Sequence, residues 1–183
     1  LMGARDGAVA SLRLKHINMI DEYVYQDARE VKTKNSKTFT TYFLPVDPDY
    51  LACFSAWVTH LRTEALFGPD DPLFPPAKVK AIEGVFQVVG LNREIYKNAN
   101  TIREAIKDAF THADLPPFTP HAFRKTLVKW ADIAYPTRAA FKAFSQNIGH
   151  SSVITTISAY CPISIEEQGA HIKHVKTVAP TAR

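Results

Sequence analysis

The chain has 183 residues, 46% hydrophobic and 22% charged, enough for one domain with a proper core and cramped for two. A net charge of +4 and a pI near 9.0 permit attraction to polyanions without demanding it. Apolar runs are short, no basic and then apolar segment opens the chain, and Cys53 and Cys161 stand far apart; a membrane span, a secretory signal, a disulfide framework and a Cys-x-x-Cys zinc site are therefore not expected, and a cytoplasmic protein is.

The sequence begins at Leu1 inside what already reads as structured, so residues 1–183 are expected to be a single domain taken from a longer protein with a further domain upstream. Val9, Leu12 and Leu14 among small residues predict a short buried helix starting near Arg5 or Asp6. Residues 23–31 (YVYQDAREV) and 38–46 (TFTTYFLPV) are rich in β-branched and aromatic side chains. The polar KTKNSK between them predicts a β-hairpin with a basic tip. Behind Pro48, residues 48–66 place Leu51, Phe54, Trp57, Val58 and Leu61 at helical spacing, with Cys53 and Trp57 read as packing residues and His60 as a surface one. Gly68 to Pro76 is a turn-rich connection expected to be exposed. Residues 79–97 mix helix and strand signals around Gly84 and Gly90, and periodicity does not decide between them.

Asn98 or Asn100 can cap a helix carrying Ile102, Ile106, Ala109 and Phe110, stopped by Leu115-Pro116-Pro117. Thr119-Pro120 opens the next, expected from about 121 to 134 with Phe123, Leu127, Val128 and Ile133 or Ala131 inward and His121 and Arg124 outward. A helix over 137–148 should turn Phe141 and Phe144 inward, and Ser151 or Ser152 should cap a segment ending at Tyr160. From Ser164 a last helix carries Glu166 and Glu167 in its first turn and Lys173 and Lys176 late, as the helix dipole favours.

The stretch from His121 to Tyr160 concentrates the chemistry. His121 and Arg124, three residues apart, share a helix face and can converge on one cluster of ligand oxygens, which suits a phosphate. Gly149-His150 follows, and Tyr160 lies ten residues beyond that histidine. This order, His-x-x-Arg, Gly-His, Tyr, resembles the catalytic signature of the tyrosine recombinases, or phage-type integrases, with the tyrosine one residue further on than the family's usual step. Tyr135 precedes the Gly-His pair, and that order argues against it.

The resemblance spans nearly the whole chain and implies an integrase-type catalytic domain, α+β and mainly helical with a small antiparallel hairpin or sheet. It implies that Met2-Gly3-Ala4-Arg5 delivers the first phosphate-clamping arginine, Arg5. The family's acidic residue three positions later is Ala8 here, with Asp6 available as a substitute. The family's hairpin lysine is a general acid; Lys32, Lys34 and Lys37 compete for that role, the tip favours Lys34, and Lys32 is the runner-up. Arg5, Arg124 and His150 would hold the non-bridging phosphate oxygens, His121 would accept the proton of Tyr160, and Lys34 would protonate the leaving 5′-hydroxyl. The implied product is a 3′-phosphotyrosyl link, made without ATP, metal or other cofactor. Double-stranded DNA is the implied partner, with a homo-oligomer, a tetramer on DNA, formed through the C-terminal helix around Ile165, Ile172 and Val175, and a cytoplasmic, nucleoid-associated place in the cell.

His171 and His174 lack a third ligand and read as a surface pair, while His16 and His112 read as structural or solvated. Two other readings stay open: a type IB topoisomerase, and a DNA-binding module of the same fold whose site has been spoiled at Ala8 and by the shifted tyrosine.

Overall fold

The computed structural model describes residues 1–160 and 164–173, without the side chains of residues 155, 158–160 and 171. Cys161, His174, Val175, Lys176 and the side chains of Tyr160 and His171 lie outside the described residues.

The N-terminal half is built on an apolar cluster of Leu12, Leu14, Val24, Val31, Leu61 and Leu73, all at most 2% exposed. Helix α1 (Asp6–Val9) begins where expected. A single 3-10 turn (Leu14–His16) then leads into a three-stranded antiparallel sheet, β1 (Ile17–Asn18), β2 (Tyr23–Gln26) and β3 (Phe39–Tyr42), in the order β1-β2-β3. The strands are shorter than their β-branched runs predict. Asp27 draws the chain out of β2 by accepting, at its carbonyl, the backbone N–H groups of Glu30 and Val31, and a 3-10 turn (Lys34–Ser36) carries the return. Asn35 and Ser36 take left-handed backbone there, with φ of +59° and +49°, which an asparagine tolerates better than most residues.

Helix α2 (Pro48–Thr63) starts on the N1 proline, with the Asp47 side chain accepting from Asp49 N–H at 3.0 Å. Its buried stripe is Phe54, Val58 and Leu61, so Cys53, one residue out of phase, is exposed and not the packing residue expected. The 68–76 connection is likewise less exposed than its composition suggests: Leu73 is fully buried, its N–H bonds Leu12 O, and its carbonyl accepts from Trp57 Nε1. The undecided stretch resolves as an antiparallel ribbon, β4 (Ala77–Ile82) and β5 (Val85–Leu91), exposed along nearly its full length.

A second cluster unites Leu44 with Val128, Ala131, Phe141, Phe144 and Ile148. It is formed by α4 (Pro120–Ala134) and α5 (Arg138–Asn147), preceded by the amphipathic α3 (Asn100–His112). Of the two alternatives Ala131 is the one turned inward, fully buried, while Ile133 is 83% exposed; Phe123, at 49%, is exposed contrary to expectation and packs sideways on Phe110 of α3. Helix α6 (Val153–Tyr160) and helix α7 (Ile165–Lys173) follow, the latter opened by a reciprocal pair of bonds between Ser164 and Glu167. Among the described residues no helix is long and apolar enough to cross a membrane.

Candidate active site

Three chain segments meet where the two clusters adjoin. Arg5 is the residue before α1, Lys34 opens the 3-10 turn between β2 and β3, and Arg124 is one turn into α4; all three line one narrow cavity together with Thr33, Phe39 and Thr41. Lys32 does not line it, because its ammonium reaches away to Lys97 O at 2.7 Å. Lys37 lies over the Phe39 ring, 5.9 Å from its centroid.

Arg124 is 4% exposed, a correction to the expectation that it faces outward beside His121. Helical phase alone cannot anticipate a guanidinium that turns inward to bind backbone. Its Nη1 donates to Gly3 O at 2.7 Å and its Nη2 donates to Ile148 O. These bonds tie the residues before α1 to the end of α5 and fix the plane of the guanidinium. Charge-assisted bonds of this kind are what make a buried arginine tolerable. The Asp6 carboxylate, available in the sequence to stand in for the missing acid beside Arg5, pairs with Arg103 Nε at 2.6 Å, and no carboxylate bonds Arg5 among the described residues.

The Gly-His pair is a helix terminator that aims a side chain. At the end of α5, Gly149 N–H bonds Gln146 O and His150 N–H bonds Ser145 O, the paired closure of a Schellman motif, with Gly149 at φ +76°. His150 is thereby turned into the interior, 5% exposed. Burial, and then the charges of Arg124, Arg5, Lys34 and Lys37, lower its pKa to about 4, so the ring is neutral at pH 7. That four cations from three segments act on one imidazole shows how positive this corner is. His121, exposed at the start of α4, is held below its ordinary pKa by desolvation and then by Lys125, Arg124 and Arg5. Tyr160 closes α6, and its hydroxyl lies outside the described residues.

Sequence reasoning missed several residues that build this corner. Ser11, fully buried, donates to Gly7 O and accepts from Lys32 N–H at 2.8 Å, joining α1 to the lysine turn. Asn147 pairs its amide with both backbone groups of Tyr42, and Thr41 Oγ1 donates to Asn147 O at 2.9 Å. Thr156 Oγ1 stands 2.7 Å from His150 Nδ1. Their only signal in the sequence is a small polar residue inside an apolar run. His16, read as structural or solvated, is buried and spans Arg13 N–H and Glu30. His112 is exposed and bonds the Asp108 carbonyl of its own helix.

No protein-family model matches the chain, and no curated protein matches it in sequence. The fold does match solved structures. A crystal structure of XerA recombinase aligns with 97% of this chain and 54% of that one, at 18% identity and a TM-score of 0.61. The Tn1549 transposon integrase, solved in complex with a circular intermediate DNA, aligns with 94% of this chain and 54% of that one, at 14% identity and a TM-score of 0.50. The chain thus spans about half the length of the structures it matches, and what it shares with them is the fold.

Proposed function

We propose that this chain is the strand-cleaving and rejoining unit of a tyrosine recombinase, acting on double-stranded DNA through a 3′-phosphotyrosyl intermediate and serving integration or excision of a mobile element. The observation that carries the reading is the convergence of Arg5, Lys34 and Arg124, from distant parts of the sequence, on one cavity beside a neutral His150. A phosphodiester attacked in line gathers charge on its non-bridging oxygens, and guanidinium forks held in place before the reaction stabilise that charge without reorganising. Neutral His150 contributes a hydrogen bond there. His121, kept neutral at physiological pH, takes the phenolic proton of Tyr160, and Lys34 supplies a proton to the departing 5′-oxygen. Because the phosphotyrosyl ester conserves the bond, a second 5′-hydroxyl can reverse the step on another strand. Assembly of several copies on DNA through α7 belongs to the same proposal.

The test is a nicked duplex carrying the cognate site, incubated with the full-length protein and run on a denaturing gel. A covalent adduct from the wild type that vanishes in Tyr160→Phe establishes the nucleophile. A protein that binds the duplex yet forms no adduct favours the second reading, an inactive DNA-binding module. Ala8 and the diversion of Asp6 to Arg103 are the observations behind that alternative.

A further inference from the structure

Two buried hydroxyls that none of the roles above uses form a line with the imidazole of His150. Ser145 Oγ of α5 lies 2.7 Å from Thr156 Oγ1, and Thr156 Oγ1 lies 2.7 Å from His150 Nδ1. The exposures are 1%, 0% and 5%. Three proton arrangements satisfy the distances. In the first, Ser145 donates to Thr156 and Thr156 donates to His150 Nδ1. In the second, His150 Nδ1–H donates to Thr156, Thr156 donates to Ser145, and the Ser145 proton must go elsewhere. In the third, Ser145 and His150 Nδ1–H both donate to Thr156, and the Thr156 proton must go elsewhere. Ser145 Oγ has no other hydrogen-bond partner among the described residues. The second and third arrangements therefore each strand a buried hydroxyl proton among the described residues, whereas the first gives both hydroxyl protons an acceptor. The first also puts the ring proton of His150 on Nε2 and makes that nitrogen a donor.

We propose that Thr156 is a positioning residue that selects the Nε2–H tautomer of His150 and ties it to the docking of α6. Thr156 stands four residues before Tyr160 in that helix, so the bonds that seat Thr156 also seat the backbone turn ending at Tyr160. If α6 leaves its seat, His150 loses the donor that fixes its tautomer, and the phosphate loses an oriented hydrogen bond. The donor at the phosphate and the helix of the nucleophile are thereby set together. The catalytic meaning of this relay rests on the recombinase reading; the tautomer assignment does not.

The experiment is nitrogen-15 NMR of the imidazole ring of His150 at neutral pH in the wild type, Thr156→Val and Thr156→Ser, paired with adduct formation on the nicked duplex at saturating DNA. The expected result is Nε2–H in the wild type, loss of that preference in Thr156→Val with a fall in the cleavage rate of about 10- to 100-fold and unchanged DNA affinity, and recovery of both in Thr156→Ser. Ser145→Ala, which removes the upstream donor and leaves Thr156 in place, should keep the wild-type tautomer. An Nδ1–H tautomer in the wild type overturns the proposal, as does a Thr156→Val protein that cleaves slowly with its tautomer unchanged. Should the tautomer respond as expected while the wild type makes no adduct, the relay stands and the recombinase reading falls.

Discussion

Replacing Gly149 by alanine is the sharpest single test of how the Gly-His turn is built. At φ +76° an added Cβ meets its own backbone, which costs an L-residue about 1–2 kcal/mol. The Cβ would also stand 2.5 Å and 2.8 Å from Cζ and Cε2 of Phe39, well inside ordinary contact, and 3.1 Å from Cε1. The pairing of β3 with β2 fixes the Phe39 backbone, so the ring must turn about its own side-chain bonds towards the arginine cavity that it lines. Forcing extra volume into such packing costs about 1–3 kcal/mol. Gly149→Ala should thus lose about 2–5 kcal/mol, much of the stability of a domain this size. Urea denaturation followed by circular dichroism measures the loss. Phe39→Leu in the same chain should return the steric share and leave the backbone share. A loss below about 1 kcal/mol for Gly149→Ala, or a double variant no better than the single, would refute the claim that Phe39 and the left-handed turn define this corner.

Two further outcomes follow from the buried groups. His150, with a folded pKa of about 4 against an ordinary 6.5, binds its proton later than the unfolded chain does as pH falls. Its contribution is fully present above about pH 6.5 and is lost towards about pH 4, a fall of roughly 3 kcal/mol that His150→Gln should flatten in urea midpoints taken across that window. Arg124→Met removes the donors to Gly3 O and Ile148 O and should cost about 2–5 kcal/mol in the same assay, whereas Lys125→Met, which removes the exposed cation beside it in sequence, should stay within about 0.5 kcal/mol.

Much of this architecture is legible in the sequence, and the failures have physical reasons. Pro48, Thr119-Pro120 and Ser164 mark helix starts because caps and N1 prolines act locally, whatever the tertiary context. Phe54, Val58 and Leu61 reveal α2 through their period. Arg124 escapes because its burial depends on carbonyls of Gly3 and Ile148, which no local pattern announces. The ribbon over 77–91 escapes because it is exposed on both faces and so lacks the alternation that burial imposes. Phe123 misleads since its aromatic neighbours lie on α3, outside the core its helix faces. Of the site, the motif offers Arg5, Lys34, Arg124 and His150 as residues, and the hairpin tip already favours Lys34 over Lys32; the reach of Lys32 to the Lys97 carbonyl, which keeps it off the cavity, is a long-range contact that the sequence does not announce.

The bonds from Arg124 to Gly3 and from Asn147 to Tyr42 join residues more than a hundred positions apart. Such closures come late, because the chain entropy they restrict must be lost before they return any bonding energy. During synthesis the segment bearing Arg5 and Lys34 leaves the ribosome well before α5 exists to receive it, and it can fold its own apolar cluster in the meantime. The cationic corner is therefore completed after the first cluster, once residue 148 has emerged. A nascent chain of this protein carries the arginines and the lysine before anything holds them around one cavity.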